Sequence, residues 1–114
     1  MFNDQHTNGQ VININSETFS EKVKTDPNAV LIDVRTGNEF ALGHIPNSKL
    51  IDIMSPSFLE EIEQLDKTKN YYLYCRSGNR SYHAGLAMIR IGFKAVFNLQ
   101  NGILDWYEPL EQGY

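Results

Sequence analysis

The only cysteine of the chain, Cys75, heads a run that reads Cys75-Arg76-Ser77-Gly78-Asn79-Arg80-Ser81 and follows Tyr74. The run combines a nucleophile, two permanent cations and residues that accept unusual backbone angles. The thiolate is the reactive form of cysteine and a free thiol titrates near 8.5, so the chemistry depends on what stabilises the anion. Gly78 and Asn79 both tolerate positive φ, and successive amides there can curve inward as a cradle. A helix that begins near Arg80 aims its unpaired N–H groups and the positive end of its dipole at the same place. Arg76 and Arg80 add charge, and a guanidinium presents paired donors to an oxyanion. The expectation is a Cys75 thiol that ionises below its free value, exposed at the floor of an anion cradle.

Two chemistries suit such a site. In sulfur transfer, the thiolate attacks the outer sulfur of a donor such as thiosulfate, sulfite departs, and a persulfide waits for a thiol or cyanide. In phosphoryl transfer, as in a phosphatase or arsenate reductase, the thiolate attacks the central atom and the cradle holds the equatorial oxygens. Four residues separate Cys75 from Arg80, a ring expected to be small for a tetrahedral phosphoryl group. Against both stands a bland reading, in which Cys75 is a small buried hydrophobe and the arginines are solvated surface charge. A non-catalytic interaction module is its functional form.

These residues need a strand before them and a helix after them, and the flanking pattern supplies both. Tyr71 to Tyr74 has strand composition. Ser81 to Ile91 has helical spacing, with Ala84, Ala87, Met88 and Ile91 on one face and Gly92 at its end. Cys75 therefore stands at the carboxyl end of a strand, where open α/β sheets bind ligands. Upstream, Val11 to Ile14 is a short apolar segment and Ser16 to Lys24 a helix capped by Asn15, Ser16 or Thr18. Ala29 to Ile32 is an apolar run of strand length, as a sheet covered on both faces requires. A helical turn spans Glu39 to Leu42, a fixed loop Gly43 to Asn47, a short strand Ser48 to Ile51, and a helix Ser55 to Leu65 with Pro56 at its first position. Ala95 to Leu99 reads as the last strand and Ile103 to Tyr107 as a closing short helix, with Trp106 packed in the core. Strands and helices alternate, which predicts an α/β sandwich around a mainly parallel sheet.

The 114 residues suit one compact domain. A formal net charge of -4 offers no general attraction to nucleic acid or to an anionic membrane, so neither is expected as a partner. One cysteine makes no intramolecular disulfide. The polar first ten residues hold no leader or anchor, and a cytoplasmic address is the expectation. His6, His44 and His83 have no metal-ligand spacing, and no metal or cofactor is expected.

On these residues the chain resembles the rhodanese (thiosulfate sulfurtransferase) homology family, in particular its single-domain members. Cys75 to Arg80 is similar to that family's six-residue loop. Leu31-Ile32-Asp33-Val34-Arg35, followed by Glu39, resembles a first block. Gly43-His44-Ile45-Pro46-Asn47-Ser48 resembles a second, with Asn47 in place of the usual glycine. Leu99 to Trp106 resembles the C-terminal block, with Asn101 where glycine is common. The resemblance covers about residues 11–109, leaving 1–10 as a flexible tail and 110–114 as a C-terminal tail. It implies a three-layer α/β/α fold with a five-stranded parallel sheet in the order 3-2-4-5-1, and Cys75 as the sulfur carrier. It implies too that related phosphatases carry a loop one residue longer. Arg76, Ser77, Gly78, Asn79 and Arg80 would then bind the donor, with Asp33, Arg35, Glu39 and His44 in support. Arg76 is expected to meet the sulfonate and Arg80 to brace the loop, or the reverse. Asp33 reads as a structural carboxylate or a proton-transfer group, Arg35 and Glu39 as an ion pair four residues apart, and His44 as a loop-fixing residue or a base. Thiosulfate is the small anionic donor this implies and a thiol or cyanide the acceptor, a protein donor or acceptor remaining open.

Overall fold

The structure, a computed structural model, describes residues 9–114; residues 1–8 of the expected N-terminal tail lie outside them. The chain runs β1 (Gln10–Ile14), α1 (Ser16–Thr25), β2 (Ala29–Asp33), α2 (Gly37–Leu42), β3 (Lys49–Leu50), α3 (Phe58–Glu63), β4 (Asn70–Tyr74), α4 (Asn79–Arg90) and β5 (Ala95–Leu99), and then a 3-10 turn, Gly102–Asp105. The sheet order is β1-β5-β4-β2-β3 and every pairing is parallel, the order the family resemblance implies.

Helices cover both faces, because the buried strands alternate their side chains between them. In β4, Tyr71 and Leu73 point to the α3 and α4 side, where they meet Phe58, Ile62, Ala84 and Met88. Tyr72 and Tyr74 point to the other side, with Phe19 of α1, Leu31 and Leu99. Half-buried Trp106 packs edge-on to Phe19 at 6.0 Å. This double coverage fixes the carboxyl end of β4, and with it Cys75, at the middle of the sheet.

Two local departures have local causes. The helix predicted from Ser55 begins at Phe58, because the Ser55 hydroxyl accepts from the Ser57 amide at 3.2 Å and the Ser55 carbonyl takes the Phe58 amide at 3.1 Å. Such bonds hold a tight turn in place of the first helical turn. The last residues, expected as a tail, lie against α2. Glu111 and His44 exchange backbone hydrogen bonds of 2.8 Å each way, and the Gly113 amide donates to the Ala41 carbonyl at 2.8 Å.

Candidate functional site

The loop after β4 is shaped from outside as much as from within. The Cys75 carbonyl accepts from the Ile103 amide at 2.9 Å, and the Arg76 carbonyl from the Leu104 amide at 3.2 Å. These are otherwise unpaired N–H groups of the 3-10 turn. With both carbonyls turned outward, the amides that follow face in. The Gly78 amide donates to Cys75 Sγ at 3.2 Å and the Ser81 amide at 3.4 Å, and the Ser77 amide adds to them. Two glycines make room. Gly78 has φ 101° and a Cβ there would overlap the Gln100 carbonyl oxygen; Gly102 has φ 68° and a Cβ there would overlap the Arg76 carbonyl.

Gly78 is the residue that precedes α4 and has no side chain to cap it. The sulfur of Cys75 takes that role, accepting from the third amide of the helix, Ser81 N–H. Burial pushes the Cys75 thiol up, but hydrogen bonds from Ser81, Gly78 and Ser77 outweigh it and its pKa lies below the ordinary value. Within that set the amides matter most. The Ser81 hydroxyl lies 3.4 Å from Sγ but 2.5 Å from Asn98 Oδ1, and its one proton goes to the nearer acceptor. Asn98 in turn donates to the Gly78 carbonyl at 3.0 Å and to Asn13 Oδ1 at 2.9 Å. Sequence reasoning assigned no role to Ser81, Asn98 or Gly102. The signal for Asn98 was a polar residue inside an apolar strand.

The arginines and carboxylates sort differently from the expectation. Arg35 does not pair with Glu39. Arg35 stands before Thr36, the cap of α2, so the four-residue spacing of a helix does not apply to it. Its Nε and Nη2 reach the fully buried Asp33 at 3.0 and 2.7 Å, and Nη2 also donates to the Gly43 carbonyl. Glu39 instead takes Arg80 of α4 in a two-pronged pair of 2.8 and 2.9 Å. The hydrogen bonds from Arg80, together with those of Thr36, overcome partial burial and hold Glu39 down at about 2. The exposed Arg76 has no ion-pair partner among the described residues.

His44 is buried, its ring stacked on Phe40 at 3.7 Å, with Nδ1 2.9 Å from the Phe40 carbonyl and Nε2 3.8 Å from Glu111. Its bonds therefore fix the loop, which Tyr74 also holds by accepting from the Ile45 amide at 3.0 Å. Asn47 has φ 70°, a left-handed conformation that glycine and asparagine share, so this departure from the family pattern keeps the backbone. A second correction concerns Cys75 itself. It is 1% exposed, not open to solvent, because the loop amides and the first turn of α4 close around the sulfur.

Among the described residues no group of three or more His, Cys, Asp or Glu is placed to hold a metal ion, and no helix is long and apolar enough to cross a membrane.

A family model described as the rhodanese-like domain matches residues 16–109. The chain belongs to the rhodanese-like domain family. A protein of Allochromatium vinosum named sulfurtransferase is 35% identical over 94 residues, which are 82% of this chain and 85% of that one. A Yersinia enterocolitica tRNA uridine(34) hydroxylase is 35% identical over 95 residues, 77% of this chain but 27% of that much longer protein. The crystal structure of a rhodanese-like domain protein from Staphylococcus aureus superposes with a TM-score of 0.77 at 29% identity, covering 92% of this chain and 99% of that one. The family match spans β2 to β5, four of the five strands, and sulfurtransferase-type chemistry is at home in this family.

Proposed function

We propose that this rhodanese-like domain is a sulfurtransferase that carries a sulfane sulfur on Cys75. The observation that carries the reading is the convergence of the Ser77, Gly78 and Ser81 amides on one thiol whose pKa is lowered. In the proposed cycle the Cys75 thiolate attacks the outer sulfur of thiosulfate. The S–S bond of the donor breaks, sulfite leaves with the electron pair, and the transferred sulfur remains as the anionic end of a Cys75 persulfide. Cyanide or a thiolate then takes that outer sulfur and returns Cys75 as thiolate. Ser77, Gly78 and Asn79 line the cradle, Arg76 meets the sulfonate, and Arg80 holds the first turn of α4 through Glu39. Asp33, Arg35 and His44 fix the neighbouring segment from Gly43 onward. The short loop, with four residues between Cys75 and Arg80, favours sulfur over phosphorus.

One observation favours a second reading: a cysteine 1% exposed suits a domain that binds partners without chemistry. Mass spectrometry of the intact protein after thiosulfate treatment separates the two. Gain of one sulfur atom, reversed by cyanide and missing in Cys75→Ser, is expected; an unchanged mass in the folded wild-type protein would leave the binding module, and a phosphoenzyme formed with an aryl phosphate in place of thiosulfate would leave the phosphatase.

A further inference from the structure

Beside the loop lies a pocket of about 320 Å³ whose walls are Arg35, Glu39, Arg76, Ile103 and three leucines, Leu42, Leu104 and Leu110. The leucines come from separate segments: the end of α2, the 3-10 turn and the C-terminal residues that Glu111 pins against His44. They are 78%, 64% and 44% exposed. A single exposed leucine needs no explanation, but three from different segments meeting in one concavity mark a surface made to be covered. The charges around them are largely settled. Arg35 is paired with Asp33 and Glu39 with Arg80, leaving Arg76 as the charged group of the pocket with no ion-pair partner among the described residues. Thiosulfate and cyanide have an anionic end for Arg76 but no apolar part for the leucines.

We infer that the sulfur acceptor is a protein cysteine flanked by apolar side chains, which lie on Leu42, Leu104 and Leu110 while its thiolate comes in past Arg76. This rests on the sulfur-carrying reading of Cys75. The acceptor thiolate attacks the outer sulfur of the Cys75 persulfide, the S–S bond to Cys75 breaks, and its electron pair stays on Cys75 as thiolate. The transferred sulfur keeps its negative charge, so the acceptor leaves as the persulfide anion R–S–S⁻. Charge balances throughout, and no oxidant is consumed. The site is complementary in both respects: an anion for the arginine, and apolar bulk for the leucines.

The test uses the whole chain with thiosulfate as donor and two acceptor peptides, acetyl-Leu-Cys-Leu-amide and acetyl-Ser-Cys-Ser-amide, with cyanide as the reference acceptor. The leucine peptide is expected to exceed the serine peptide in kcat/KM by roughly tenfold, the worth of burying a single large apolar side chain. The double variant Leu42→Ser/Leu110→Ser is expected to bring that ratio near one without changing turnover with cyanide, which also shows that it is folded. Equal use of the two peptides, or a ratio that survives the double variant, overturns the inference while leaving sulfur transfer intact. Use of butanethiol as good as that of the leucine peptide assigns the pocket to small thiols and overturns it as well. So does a dimer in sedimentation equilibrium that the double variant abolishes, for then a second copy covers the leucines. No thiocyanate from cyanide in the wild-type protein removes the sulfur-carrying reading itself, and the inference falls with it.

Discussion

Replacing Glu39 by glutamine keeps the shape of the side chain and its contact with the Thr36 cap but removes the charge that holds Arg80. The drop of the carboxyl from 4.5 to about 2 corresponds to about 3 kcal/mol if fully shielded from water. The side chains of Glu39 and Arg80 are 28% and 30% exposed, so solvent and salt reduce it to on the order of 1–2 kcal/mol. The sign follows from linkage: a depressed folded pKa gives stability that is present above 4.5 and lost as pH falls from there toward 2. Urea unfolding of the wild type and Glu39→Gln, measured from pH 7 down to pH 3, should show the wild type ahead by about 1–2 kcal/mol at neutral pH. The gap should shrink over the acid end of that range, and Glu39→Gln should turn over thiosulfate more slowly than the wild type at neutral pH because Arg80 stands next to the Ser81 amide donor. A gap that stays constant to pH 3, or that is absent at pH 7, would refute the assignment of Glu39 as the charged brace of α4.

Two further outcomes are expected. Arg76→Ala, at an exposed rim position, should raise KM for thiosulfate by about tenfold or more, the worth of a charge-assisted contact, with a melting temperature within about 2 °C of wild type. Steady-state kinetics beside a melting curve check it. Gly102→Ala should cost about 2–4 kcal/mol, because the left-handed φ and the overlap with the Arg76 carbonyl add. It should also raise the thiol pKa of Cys75, read from thiolate absorbance against pH, since the outer clamp on the loop is lost.

Much of the fold was legible because it rests on local patterns. The run from Tyr71 into Cys75, and the return of helical spacing after it, located the junction of β4 and α4 within two residues. The family resemblance on four blocks supplied the strand order. The placement of the carboxylates was not legible, since ion pairs are chosen by space: Arg35 and Glu39 have helical spacing, yet Arg35 precedes the helix and Arg80, 41 residues from Glu39, is the partner. The exposure of Cys75 was misjudged for a similar reason. Its neighbours in sequence are polar, but the groups that enclose it include Ser81, one turn into α4, and a turn near residue 103 that no local pattern connects to it.

Burial and activation of this sulfur come from one arrangement. The amides of Gly78 and Ser81 reach Sγ only because the carbonyls of Cys75 and Arg76 are held outward by the 3-10 turn, and a loop closed tightly enough to aim three donors inward leaves little room for water. Desolvation alone would raise the thiol pKa; the donors it brings with it lower it. A more open loop would expose the sulfur and lose the reason for it to ionise. In the proposed cycle the conflict is resolved by the cargo, because a persulfide places its terminal sulfur one S–S bond, about 2.0 Å, beyond Sγ. The anionic atom offered to an acceptor is then the transferred sulfur, while Cys75 itself stays on the floor of the cradle as the leaving thiolate the amides already hold.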